Sequence, residues 1–131
     1  MSYYFNAILK GKRFDEAVEL VTEELKTEGF GVLTEIDVQG TLKKKIGADF
    51  KKYKILGACN PHFAHKALQS EDKIGVFLPC NVVVEENETG EIEVAIVDPV
   101  ASMISVENAA LGSYASEVQR KLKNVISGLT K

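Results

Sequence analysis

The sequence predicts an α+β fold: a two-layer sandwich in which one mostly antiparallel sheet carries helices packed on one face. Three observations lead there. Segments of period-two apolar alternation are interleaved irregularly with segments of helical spacing. The region 75–98 reads as a hairpin, "VFLPCNVVVEE" and "EIEVAIVD" flanking the turn "NETG", so the strongest strand pair is antiparallel. Near the C-terminus Leu111, Tyr114, Ala115, Val118, Leu122, Val125, Ile126 and Leu129 recur at helical spacing, as in a long amphipathic helix laid on a sheet. A chain of 131 residues has the length of one domain. No linker, repeat or shift in composition divides residues 1–131.

Taken in order, residues 2–9 ("SYYFNAIL") are rich in aromatic and aliphatic side chains and form a first strand. After Gly11, Phe14, Ala17, Val18, Val21 and Leu25 make one helical stripe, with Asp15 and Glu16 in the first turn where the helix dipole favours them. Gly29 supplies the left-handed residue that ends this helix, and Phe30 folds back over its last turn. In "FGVLTEIDV", strict alternation puts Phe30, Val32, Thr34, Ile36 and Val38 on one face. "GTLKKKIGADF" is polar and basic, a short helix or a loop. "KYKILGAC" is a strand whose core face is expected to be Tyr53, Ile55, Gly57 and Cys59. "NPHFAHKALQSE" opens a helix with Asn60 as N-cap and Pro61 at the first helical position. In the second hairpin strand Ile92, Val94 and Ile96 point inward, and Asp98-Pro99 ends it.

Composition narrows the function. A net charge of −3 argues against general affinity for nucleic acid or anionic membrane. "GVFLPCNVVV", the longest apolar run, is far shorter than a membrane span. The stretch "MSYYFNAILKGKRF" has none of the regions of a signal peptide, so a cytoplasmic location and reduced thiols are expected. Leu33, Leu56, Ala58, Phe77, Val83, Ala95 and Val97 fall opposite the expected core face. That much apolar surface calls for a cover, most simply a second copy of the chain in a homodimer.

The segments "GFGVLTEID", "ILGACNP", "LPCNVVV", "ETGEIEV" and "DP" at 98–99, in that order, resemble the bacterial and archaeal domain-of-unknown-function family 302. The resemblance runs from about Gly29 to Pro99, with a compatible helix on either side. It implies a compact, dimeric two-layer α+β domain, and it lends no activity. Gly57, Asn60, Pro61, Leu78, Pro79, Asp98 and Pro99 are its motif positions, none with a known catalytic role.

Three constellations could carry chemistry. Cys59, His62 and His65, spaced C-x₂-H-x₂-H at a helix start, could join Cys80 in a tetrahedral zinc site. They are all the histidines and cysteines of the chain, although the spacing matches neither paired-ligand pattern of zinc proteins and both cysteines sit in strands as small hydrophobes do. Cys59 also precedes a helix N-terminus, where a thiol pKa can fall, and His62 could serve as its base. Lys43, Lys44, Lys45, Lys51, Lys52 and Lys54 crowd into twelve residues with Phe50 and Tyr53; without them the net charge of −3 becomes about −9. Such a patch could hold a phosphate-bearing ligand or single-stranded RNA, but no glycine-rich phosphate loop or RNA-binding motif accompanies it. The acidic hairpin "EENETGEIE" lacks the ligand ladder of a calcium loop and reads as a wet turn.

The leading expectation is a dimeric binding protein, not an enzyme, holding a small ligand or a metal ion where the helix start at 59–65 meets strand 78–82. Asn60 and Lys43–Lys45 are candidate ligand contacts; Cys59, His62, His65 and Cys80 are candidate metal ligands. The alternatives are a thiol-dependent enzyme or redox protein using Cys59, and a phosphate- or RNA-binding module using residues 43–54.

Overall fold

The computed structural model describes residues 2–130. Five strands, β1 (Tyr4–Leu9), β2 (Gly31–Asp37), β3 (Tyr53–Cys59), β4 (Cys80–Glu86) and β5 (Ile92–Val97), form one sheet in the order β1-β5-β4-β3-β2. All four pairings are antiparallel. The helices are α1 (Phe14–Thr27), α2 (Val38–Ile46), α3 (Pro61–Ser70), α4 (Pro99–Ser102) and α5 (Ala109–Leu129), with a 3-10 helix at Asp72–Phe77. This is the α+β architecture that the sequence predicts.

Helix α1 forms where its stripe requires, burying Phe14, Ala17, Val21 and Leu25. The Arg13 N–H donates to Glu16 Oε1 at 3.1 Å, closing the first turn. At the other end Phe30 N donates to Leu25 O and Gly29 N to Lys26 O. Gly29, at φ +85°, makes that reversal, and only glycine adopts it without strain. The basic segment is helix α2. Asp37 caps it by accepting from Gly40 N at 3.1 Å, and no residue of α2 is buried.

The core lies between α1, α5 and one face of the sheet. Leu56, Val82, Val84, Val94 and Ile96 are closed from solvent beneath Val21, Leu25, Leu122 and Val125. Each such burial contributes about 1.5–3 kcal/mol. A second cluster, Ala67, Ile74 and Leu111, packs with Leu78, Met103, Val106 and Tyr114 at the α3 end. Asn108 ties that end together: its Oδ1 accepts from Ala110 N at the start of α5, and its Nδ2 donates to Ser70 O at the end of α3, 2.8 Å away.

Three expectations need correction. The first hairpin strand begins at Cys80 and not near residue 75, because residues 72–77 wind into the 3-10 helix that buries Ile74. Pro79, with no N–H for a ladder bond, marks the boundary. In β3 the core face is Leu56 and Ala58, while Tyr53, Ile55 and Gly57 face the other way. Both faces of this strand are apolar, so alternation alone could not choose between them. In β2 a bulge lies between Val32 and Thr34. Val32 therefore pairs with Ala58 on the helix-covered face, whereas Thr34 and Ile36 pair with Gly57 and Ile55 on the open one.

The uncovered face thus carries Tyr4 and Ile8 from β1, Ala95 and Val97 from β5, Val83 from β4, and Tyr53 and Ile55 from β3. Polar groups flank them: Asn6 donates to Glu93 at 2.9 Å, and Lys51 pairs with Glu85 at 2.5 Å.

On this face Gly57 is buried between β2 and the Leu78–Pro79 segment, and a Cβ there would collide with Thr34 Oγ1 and the Pro79 ring. The threonine can rotate, but the proline ring cannot yield. Gly57→Ala is expected to destabilise by about 1–3 kcal/mol, an overpacking cost. Urea unfolding should show a lower midpoint at unchanged slope.

Candidate functional site

The end of β3, the start of α3 and the start of β4 meet under the first half of α5. Cys59 closes β3, Asn60 is the α3 N-cap and Pro61 occupies the first helical position, as the sequence reading expects. Helical spacing then splits α3. Phe63, Ala64 and Ala67 turn inward, whereas His62, His65 and Lys66 are exposed. Cys80 pairs with Ala58 across the β3–β4 ladder and is buried. Together with Leu78, Pro79, Pro99 and Met103, and with Leu111, Tyr114, Ala115 and Val118 of α5, these residues line a cleft. No charged side chain contributes to the lining. The cleft takes in about 490 Å³ counting its mouth, of which only a small part is enclosed. It is a slot.

The four expected metal ligands do not assemble. Among the described residues no three His, Cys, Asp or Glu side chains lie together in a group able to hold a metal ion. The geometry divides the set: Cys59 and Cys80 line the cleft, while His62 and His65 sit on the solvent side of α3. The thiols are also unlike activated ones. Burial raises the Cys59 pKa, the reverse of the helix-dipole effect anticipated from its position. Cys80 is pushed up to about 11, by burial first and then by the neighbouring Cys59. Both shifts run against the lowered pKa of an activated nucleophilic thiol.

Asn60 departs from its expected role. It occupies the N-cap position, yet its side chain accepts no hydrogen bond from the helix. Nδ2 donates weakly to Glu28 O at 3.4 Å and lies against Gly29. Oδ1 is buried without a partner, in a residue only 8% exposed. Such an orphaned acceptor is uncommon in a folded protein and costs about 1–3 kcal/mol.

Three of the six lysines of the lysine-rich segment are paired with carboxylates. Lys43 pairs with Asp49 at 2.9 Å, Lys51 with Glu85 and Lys54 with Glu35 at 2.6 Å. Phe50 and Tyr53 pack on one another with ring centres 5.9 Å apart, and Lys51 lies beside both rings. Lys44 and Lys45 remain exposed on α2, apart from the cleft lining. Asp98, a motif position, has a structural duty. It caps α4 through Val100 N and accepts from Gln119 Nε2 of α5, both at 3.0 Å.

The model of the family DUF302, a domain of unknown function, matches residues 6–129. Among solved structures, the chain is similar to the crystal structure of an uncharacterized conserved DUF302 protein from Bacillus stearothermophilus. The two share 28% identity and a TM-score of 0.90 over 98% of this chain and 99% of the other. A comparison with curated proteins finds no match.

The thiol environment is open to direct measurement. Iodoacetamide at pH 7.5 should modify half-buried Cys59 before Cys80, and both far more slowly than glutathione. The alkylation rate of Cys80 should keep rising to about pH 11. A raised thiol pKa stabilises the fold below the unfolded value near 9, and that contribution is lost as pH climbs toward 11.

Proposed function

The chain belongs to the DUF302 family, and from that premise we propose that it is a homodimeric binding protein for a small ligand held in the slot beneath α5. One observation carries this reading: an apolar cleft without charged side chains, built from five separate segments. Ligand sites characteristically combine a mostly apolar wall with very few polar groups. Here those groups are the Asn60 amide, the Tyr114 side chain and two protonated thiols. A metal ion and a thiol-dependent reaction are less well supported. The histidines lie away from the thiols' cleft, and burial raises both thiol pKa values where an activated thiol needs a lowered one. Three of the six lysines of 43–54 are taken up by carboxylates, which weakens the case for anion binding.

The dimer reading is supported by the uncovered sheet face. Val83, Ala95, Val97, Tyr53 and Ile55 form an apolar centre, with Glu85, Glu93 and Asn6 at its polar margins. A two-fold axis through such a face sets its apolar centre against itself.

Two substitutions test the two parts. Ala64→Leu projects a branched side chain into the slot. Benzofuran, a planar apolar probe, should shift the amide NMR signals of Phe63 and Tyr114 in the unmodified protein, and at least tenfold less in the variant. Absence of these shifts in the unmodified protein would end the cleft reading. Val83→Lys places a charge at the centre of the sheet face. Light scattering should then give the mass of one chain where the unmodified protein gives two, and a monomeric unmodified protein would remove the dimer.

A further inference from the structure

We propose that the ligand of the slot is a neutral, slender or planar molecule whose hydroxyl or N–H group donates a hydrogen bond to Asn60 Oδ1. The inference deepens the binding reading above and rests on it. It starts from a polar atom whose partner is missing. An asparagine at an N-cap ordinarily accepts from the second or third amide of its helix. Asn108, at the start of α5, does so and also uses its Nδ2 twice. Asn60 stands at the same position of α3 and makes no such bond.

The orientation of its amide explains the difference. Nδ2 is held toward Glu28 O and Gly29, and neither of those residues lines the slot. Gly29 has no Cβ, which leaves room for that end of the amide; a Cβ there would approach Nδ2 to 3.0 Å. With Nδ2 engaged there, Oδ1 is the free end of a side chain that lines the slot, and it is buried without a donor. In its surroundings the only side-chain donors that line the slot are Tyr114 and the two thiols, and none of them bonds to it.

The remaining wall sets the rest of the ligand's chemistry. With no charged residue in the lining, a charged ligand would lose its hydration without compensation, so the ligand is neutral. The enclosed part of the slot is small, which favours a thin ligand, and Phe63, Met103 and Tyr114 are its apolar neighbours. An acceptor-only molecule would set a second lone pair against Oδ1. A donor removes the cost of the orphaned oxygen.

Indole and benzofuran separate these ideas on the unmodified protein, because they share size and shape and differ in N–H against O. Both should shift the amide signals of Phe63 and Tyr114, with indole binding about tenfold more tightly, as expected when a buried acceptor gains its donor. Asn60→Leu should equalise the two affinities while leaving benzofuran bound. Equal affinities on the unmodified protein, or tighter binding of benzofuran, would overturn the donor inference and leave the slot as a binding site. A preference for indole that survives Asn60→Leu would overturn the role of Asn60. Failure of both probes to shift any slot residue would overturn the binding reading itself, and the inference with it.

Discussion

Strand β3 admits only one parity, and the placement of every residue in the cleft follows from it. Leu56 pairs with Val82 and Ala58 with Cys80, and all four point under the helices. Because side chains alternate with a period of two, that choice turns Gly57 toward the uncovered face. Gly57 is what allows the Pro79 ring to lie against β3, and Pro79 leads Cys80 into the ladder at the floor of the slot. One residue beyond Cys59 the chain turns into α3, which leaves Asn60 at the slot margin and sends the two histidines outward. Shifting β3 by one residue would expose Leu56 and bury Tyr53, and the site would not exist.

Much of this was legible in the amino acids, and the part that was not has definite physical causes. Helix α1, its glycine terminus, the α3 start, the hairpin partner strand and α5 all announce themselves by spacing and capping residues. The core face of β3 does not, since "YKILGAC" offers apolar residues to both sides and the pairing partner decides. The bulge in β2 is likewise silent: Val32, Thr34 and Ile36 alternate correctly and yet end on different faces. At the site, proximity in sequence misled. Cys59 and His62 are three residues apart, but a helix start intervenes and the two side chains part. The apolar wall contributed by Met103, Leu111, Tyr114 and Ala115 comes from a segment about forty residues later, beyond the reach of local motifs. Asn60 was visible as an N-cap; that it does not cap could be seen only in three dimensions.

Charge and function are segregated in the molecule. The lysine run, the most conspicuous charged feature of the sequence, meets carboxylates on both neighbouring strands: Lys51 reaches Glu85 of the acidic hairpin, and Lys54 reaches Glu35 of β2. Exposed pairs of this kind contribute little to stability, typically under about 1 kcal/mol each. Their effect is to balance a polarised chain locally. The proposed binding chemistry sits elsewhere, in a part of the structure with almost no formal charge.

The bulge in β2 bears on how sequences of this fold can change in length. Val32 pairs with Ala58 and Thr34 with the adjacent Gly57, so Leu33 stands outside the ladder, largely exposed. Loss of that one residue would leave an ordinary edge strand, with every later pairing from Thr34 to Asp37 intact. Elsewhere in a paired strand, deleting a residue would exchange the inner and outer sides of all that follows. Insertions and deletions within the sheets of homologous chains should therefore collect in this edge strand.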